Sequence, residues 1–273
     1  MNSSTPQVSL GSLWKQFLPL SVSDVTMAAG DPLITVTLAR LPETATSLSA
    51  IGVAKAIAVF FESPIIMLLH ASNALAISAA SRRALKRFML TSCIVLTACL
   101  ALLTVPWIFD RVVLSVMGID SSHGSYVRKG MLILVLWPAA IAWRRYHQGL
   151  LIRHGNSHAI AHAGFIRLGC VGLVLVTTAA IGLSGVQVAG FALIGGVIIE
   201  AAIVTIAAHR CGATNNPPPL VTDNLPSTMP EVWTFYWPLA NSMLVVWGGR
   251  ALLVALVARS SDSLVALAAW PAA

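Results

Sequence analysis

Apolar residues run along this chain in blocks far too long for strands, separated by short polar breaks. A membrane-spanning helix needs about 20 mostly apolar residues. Seven blocks reach that length, at residues 13–39, 47–79, 84–109, 126–152, 159–183, 187–208 and 232–258, and an eighth starts near Ser263. Strands of a membrane barrel alternate over only about ten residues, so the pattern predicts an all-α, polytopic membrane protein. The breaks are recognisable as turns: Leu41-Pro42, the dense basic stretch Arg82-Arg83-Ala84-Leu85-Lys86-Arg87, residues 110–125 with Gly118 and Gly124, and the tight Ser184-Gly185 hairpin. The longest break, residues 210–230, carries Asn215-Asn216-Pro217-Pro218-Pro219 and reads as a semi-rigid linker joining two packed units.

Composition agrees. Of 273 residues 57% are hydrophobic and only 10% charged, against about 25% charged in soluble domains. A soluble enzyme, a disordered protein and a disulfide scaffold are excluded. The net charge of +7 would suggest nucleic acid for a soluble chain. Here the cations fall mostly between apolar blocks, as topology signals and lipid-headgroup contacts, and no nucleic-acid partner is expected. With the N-terminus inside, the cytoplasmic face receives Lys15, the Arg82, Arg83, Lys86 and Arg87 cluster, Arg153 and Arg210. The other face receives Arg40, Arg111, Arg128, Lys129 and Arg259. The expected setting is a plasma or inner membrane with a cytoplasmic N-terminus. Residues 1–11 lack the basic start and small-residue cleavage site of a signal peptide, so the first span is expected to stay as an anchor. Cys93, Cys99, Cys170 and Cys211 show no metal-ligand spacing and read as unpaired small hydrophobes.

The first and seventh spans repeat one another. In one ungapped register Trp14 meets Trp233, Pro19 meets Pro238, Leu20 meets Leu239, Ser23 meets Ser242, Gly30 meets Gly249 and Arg40 meets Arg259. After a short gap, Ser47-Leu48-Ser49-Ala50 meets Ser263-Leu264-Val265-Ala266. An even number of spans lies between the copies, so both enter from the same side, a parallel repeat of the kind found in transporters. The organisation expected is a six-helix lobe over residues 1–209, a Pro-rich cytoplasmic linker over 210–230, and the truncated start of a second lobe over 231–273. The remainder of that C-terminal lobe is then a missing partner.

Several stretches resemble the progressive-ankylosis protein family. ATSLSAIGVAKAIAVFFESP (residues 45–64) is similar to its second helix, LWKQFLPL (13–20) to the lead into its first, and RKGMLILVLWPAAIAWRRYHQGLLIRH (128–154), with Pro138 at its centre, to its fourth; residues 233–259 resemble its seventh. That family belongs to the multidrug/oligosaccharidyl-lipid/polysaccharide (MOP) exporter superfamily, with the MATE transporters and lipid-linked oligosaccharide flippases. The resemblance implies two six-helix lobes around a central cavity that work by alternating access. It implies secondary-active export of a small polar or organic-anion solute, with H+ or Na+ as a possible coupling ion. A flippase for a lipid-linked saccharide is the alternative. The acid that couples cations on helix one of many MATE proteins falls here at Ile34. The nearest acid is Asp31, where the ankylosis branch carries one.

Ionisable groups in a span each cost about 2.5–3.5 kcal/mol on insertion scales and need a partner or a wet cavity. Asp24 and Asp31 on the first span stand two turns apart, and Pro32 should loosen the helix at Gly30-Asp31. The repeat sets Asp31 against Arg250, which suggests a gating pair across the cavity. Lys55 and Glu62 on the second span can share a face, with Pro64 bending the helix beyond them and His70 further on. Arg144 and Arg145, with His147, read as an anion-attracting patch near the mouth or as side chains snorkelling to lipid. Adjacent residues point about 100° apart on a helix, so only one of the two arginines is expected to face the cavity. Asp24, Asp31, Lys55, Glu62, Arg144, Arg145 and Arg250 therefore form the candidate substrate and ion site, with structural bridges as the competing reading.

Glu200 and Arg167 read as a bridge within the lobe. His154, His158 and His162 read as a solvated face, because Gly155-Asn156 breaks their helical spacing and no carboxylate or Cys stands near in sequence. Trp14, Trp107, Trp233 and Trp237 read as interface anchors. Neither a nucleotide-binding loop nor a catalytic constellation such as HExxH occurs, so no enzyme, cofactor or metal is expected. A retinal receptor of seven helices needs a lysine in its last helix, whereas the lysines here are Lys15, Lys55, Lys86 and Lys129.

Overall fold

The computed structural model describes residues 10–215, 225–260 and 263–269. Helices and turns account for these residues, and no strand occurs among them. The first span is two helices, α1 (Leu10–Ala28) and α2 (Gly30–Leu38). The second is α3 (Thr44–Glu62), a 3-10 turn at Ser63–Ile65, and α4 (Leu68–Leu75). The third, α5 (Ala79–Leu103), is continuous; the fourth is split into α6 (Ser121–Ile133) and α7 (Trp137–Arg153). Then follow α8 (His158–Ala180), α9 (Gly185–Arg210), α10 (Met229–Ala258) and α11 (Ser263–Ala269).

Proline chemistry accounts for the breaks. Pro64 has no N–H to offer Phe60, and the Ser63 hydroxyl donates to that freed carbonyl at 2.7 Å instead. Pro138 likewise cannot serve Leu134, whose carbonyl accepts the Trp137 N–H at 2.9 Å. Freed backbone groups re-satisfied in this way allow a broken helix at membrane depth where it is enclosed by protein or lines a cavity. The helix starts are capped in the ordinary manner. Ser78 accepts the Ser81 N–H at 3.1 Å ahead of α5, and Ser184 with Gln187 and Thr228 with Glu231 form capping boxes ahead of α9 and α10.

Several sequence expectations shift. The basic stretch from Arg82 to Arg87 is not a turn: α5 already starts at Ala79, because Ser78 caps it, and the connection is confined to the residues between Leu75 and Ala79. Residues 110–125 are not an open loop. Helical turns run through Pro106–Ile108, a wider π turn at Phe109–Leu114 and Ser115–Met117 before Gly118 ends them, and α6 begins at Ser121. Among the described residues six helical segments are long and apolar enough to cross a membrane, and the first span, interrupted at Ala29 and bearing Asp24 and Asp31, is not one of them. The expected linker lies partly outside the described residues, which stop at Asn215 and resume at Leu225. The chain's last residues, 270–273, also lie outside them.

The repeat of the first and seventh spans reaches into the helices themselves. In the register that pairs Trp14 with Trp233, Pro19 stands inside α1 as Pro238 stands inside α10. The copies then diverge: α1 breaks at Ala29, while α10 runs unbroken through Gly248 and Gly249.

Apolar packing falls into two clusters stacked along the bundle rather than one. The first gathers residues such as Leu38, Ala54, Met131, Val171, Ala189 and Val254; the second gathers Leu68, Phe88, Tyr146, Ile160, Val204 and Tyr236. On α8 the clusters are separated at Arg167, on α9 at Glu200, on the second span at Glu62 and on α10 at Arg250. A polar layer thus crosses the bundle at mid-depth. Close helix approach keeps it narrow: a Cβ at Gly196 would stand 2.6 Å from Val171 and 3.5 Å from the Arg167 Nε.

Candidate functional site

The polar layer opens into a cavity of about 430 Å³ bounded by the first, second and fourth spans with α8, α9 and α10. All three broken spans contribute at their breaks. Asp31 stands in the first turn of α2, Glu62 is the last residue of α3, and Trp137 is the first residue of α7. Discontinuous helices of this kind build ion and substrate sites in many transporters.

Asp31 and Lys55 meet at 2.5 Å across the first and second spans, with side chains 48% and 31% exposed toward the cavity. Lys55 therefore does not pair with Glu62 on its own helix. Glu62, buried, accepts the Trp137 indole N–H at 2.6 Å. Nor does Asp31 pair with Arg250 in this state. Both line the cavity, but the Arg250 guanidinium lies 5.2 Å above the Trp247 ring instead, a cation–π distance.

Deeper in the wall, Glu200 is the centre of a closed network. One carboxylate oxygen lies 2.5 Å from Arg144 and 3.6 Å from Arg167, and the other accepts from Gln148 at 2.9 Å. Arg144 and Glu200 are each only 2% exposed, so Arg144 is anchored in protein and does not snorkel to lipid. The Glu200–Arg167 bridge expected from sequence is present, but Arg144 is its closer partner. Both adjacent arginines border the cavity, Arg144 along the wall and turned to Glu200, Arg145 beside it. Arg145 reaches only Gln148, at 3.5 Å, and its Nε is buried without a partner.

Six of the seven sequence candidates thus line one cavity: Asp31, Lys55, Glu62, Arg144, Arg145 and Arg250. Asp24 does not. It is exposed on α1, on the far side of the Ala29 break, so its two-turn spacing from Asp31 no longer puts the two at one site. His70, His154, His158 and His162 are exposed outside the cavity, and among the described residues no group of His, Cys, Asp and Glu could hold a metal ion. The four cysteines are free.

Sequence reasoning missed Arg167, Trp137 and Trp247 as lining residues. Trp137 carried a signal: an indole at mid-span must find an acceptor for its N–H, which an interface Trp finds in water.

Among cationic side chains the cavity is lined by Lys55, Arg144, Arg145, Arg167 and Arg250; the carboxylates are Asp31 and Glu62, with Glu200 behind the wall. Asp31 and Glu200 are engaged by Lys55, Arg144 and Arg167. Arg145 and Arg250 have no carboxylate partner among the described residues.

No curated protein matches the chain. A solved structure described as the inward-facing conformation of a multidrug resistance MATE family transporter of the MOP superfamily matches with a TM-score of 0.65 at 12% identity, covering 94% of this chain and 60% of that one. The likeness shows the fold, a MATE-like helical bundle, of which this chain spans about 60% of the solved structure's length. With six helices able to cross a membrane among the described residues, the molecule is a multi-pass integral membrane protein. The progressive ankylosis protein (ANKH) family matches residues 2–269, nearly the whole chain, and the chain belongs to that family.

Proposed function

We propose that the protein forms the substrate cavity of a secondary-active exporter for a small organic anion, working by alternating access rather than by enzymatic chemistry. The observation that carries this reading is the pair Arg145 and Arg250: two guanidiniums, on the fourth and seventh spans, border one cavity without a carboxylate partner among the described residues. A planar guanidinium matches a carboxylate or phosphate with two parallel hydrogen bonds. An anion between them would link residues 1–209, read as the first lobe, to residues 231–273, read as the start of the second.

Lys55 supplies the step that changes state. Its pair with Asp31 is half open to the cavity, so an arriving anion can compete for the ammonium. The Asp31 carboxylate, once released, is free to meet Arg250 as the lobes approach, which is the gating contact that the repeat suggests. It is also the group that a coupling H+ or Na+ would neutralise. In this reading residues 210–230 form a cytoplasmic linker, the N-terminus is cytoplasmic, and the protein resides in a plasma or inner membrane.

The test is anion efflux from proteoliposomes. R145Q and R250Q should each weaken the half-saturating anion concentration about ten- to hundredfold, the loss expected when one charge-assisted hydrogen-bonding partner is removed. Unchanged anion affinity in both variants, with folded protein, overturns the reading. Translocation of a lipid-linked saccharide that depends on the same arginines, with no soluble anion moved, would instead assign a flippase.

A further inference from the structure

A second cleft of about 350 Å³ lies at the opposite end of the second apolar cluster from the cavity, where α5 and α10 both begin. On one side are Arg83 and Arg87, one turn apart on α5; on the other are Ser227, Thr228 and Met229, where the chain re-enters α10. Both arginines are exposed, and neither meets a carboxylate among the described residues. Arg83 spends one donor on the Ala79 carbonyl at 3.2 Å. Glu231 faces the turn itself, accepting the Ser227 N–H at 2.7 Å and the Thr228 N–H at 3.4 Å.

What distinguishes this cleft from a plain basic surface is what lies along the bundle from it. Positions 83, 87, 90 and 94 fall on one stripe of α5, and that stripe changes from two arginines to the exposed Leu90 and Ile94. On α10, Trp233 and Trp237 follow Met229 at one-turn spacing, 49% and 50% exposed, with ring centroids 5.3 Å apart. Trp233 lies 5.8 Å from Phe88, which packs the indoles of α10 against α5 just past Arg87. Exposed cations, indoles and bare aliphatic side chains along these two helices are the groups that suit the phosphate, interface and acyl chain of a lipid.

We infer that the cleft between α5 and α10 is a binding site for an anionic phospholipid. Arg83 and Arg87 take its phosphate from the α5 side, opposite the Ser227–Thr228 turn, and its acyl chain lies along Trp233, Trp237 and the Leu90–Ile94 stripe. Trp233 and Trp237 are thereby more than interface anchors: they are the wall of a specific lipid groove. The lipid touches α5 and the first helix after the linker at once, so it would tie those two helices together. The inference does not rest on the transport reading.

The test is lipid titration of the purified protein followed by native mass spectrometry, with phosphatidylglycerol and phosphatidylcholine of matched chains. Lys86 is the internal control. It is exposed, carries the same charge and lies next to Arg87, but it does not line the cleft. Diffuse attraction to an anionic surface is worth about fivefold for any such cation, so it predicts equal losses for K86Q, R83Q and R87Q. The site predicts that phosphatidylglycerol binds more tightly than phosphatidylcholine. It also predicts that R83Q and R87Q each lower that affinity about tenfold or more, and that K86Q lowers it about twofold at most.

Equal losses in the three variants overturn the proposal, as does equal affinity for the two lipids. Displacement of the lipid by inorganic phosphate in place of a second lipid would assign the cleft to a soluble anion and overturn it as well. Should R83Q or R87Q fail to yield monodisperse protein, R83K and R87K keep the charge while losing the planar fork. They should weaken phosphatidylglycerol binding severalfold, and wild-type affinity in both refutes the site.

Discussion

Two ion pairs of equal length make a controlled experiment. Arg144–Glu200 and Lys55–Asp31 both stand at 2.5 Å, so pairwise Coulomb attraction alone would make their loss comparable. Their surroundings differ. Glu200 is 2% exposed and is the shared counterion of Arg144 and Arg167. E200Q keeps an acceptor for Gln148 but strands two guanidiniums in the bundle, and breaking a buried pair from one side costs about 3–5 kcal/mol. At roughly 2–4 °C per kcal/mol for a chain of this size, the thermal midpoint should fall by about 10 °C. Asp31 is 48% exposed to the cavity, where water can solvate the ammonium left behind, and D31N should cost under about 1 kcal/mol. The assay is the thermal midpoint of each variant in detergent, read by circular dichroism, with R144M and E200Q/R144M measured beside them. Removing the stranded Arg144 charge should return part of the loss, a coupling that only a double-mutant comparison isolates. Equal, small shifts for E200Q and D31N would refute the reasoning, and so would a double variant that loses the full sum of both single changes.

Other consequences are simpler to read. G149A should cost about 1–3 kcal/mol, because a Cβ there would run into the Leu69 carbonyl and Ser72 of α4 and stand 3.0 Å from the Asn73 nitrogen; a midpoint within error of wild type would contradict that packing. E62A should cost about 1.5–3 kcal/mol by leaving the buried Trp137 N–H without its acceptor, whereas E62Q, which retains a carbonyl, should recover most of it in the same thermal assay. H158A/H162A should change stability by less than about 0.5 kcal/mol and leave zinc binding, followed by calorimetry, undetectable. The exchange D31K/K55D should be more stable than D31K alone in the same thermal assay, since it rebuilds the same pair with reversed ends, yet leave anion efflux impaired, because a lysine at position 31 cannot close against Arg250; efflux restored by the swap removes the gating contact.

The arrangement of spans was legible because long apolar blocks leave few alternatives, and the repeat of α1 in α10 was legible because Trp, Pro and Gly matches are informative where Leu and Ala matches are not. What escaped was side-chain direction. Arg144 and Arg145 differ by one position and both border the cavity, yet one is locked to Glu200 on α9 and the other meets no carboxylate among the described residues. No spacing rule within α7 reveals a partner on another helix. Lys55 and Glu62 show the same limit: helical spacing correctly put them on one face, but each found a nearer partner across a helix interface, Asp31 for one and Trp137 for the other. Asp24 was misjudged because spacing was counted through a helix that breaks at Ala29.

Those breaks are also the most informative feature of the sequence. Pro32, Pro64 and Pro138 each interrupt a span near its middle, and Asp31, Glu62 and Trp137 stand within two residues of them. In lipid an unpaired backbone group is too costly to leave facing hydrocarbon, so broken helices gather where protein or water can satisfy them. Each such proline therefore marks the membrane depth of a polar layer before any contact is known, and three at one depth mark a cavity. The seventh span has its proline at Pro238, near its start, and remains unbroken past Arg250. It can bring Arg250 to the same layer without building backbone chemistry there. Three hinged spans facing one rigid span is an asymmetry that suits a gate: in the proposed cycle the first, second and fourth spans flex around the anion while α10 carries Arg250 toward Asp31 as a rigid rod. Replacing Gly248 and Gly249 with a Pro-containing break should then impair closure while leaving anion binding to the open cavity intact. Binding lost in proportion to transport would place the hinge on α10 instead.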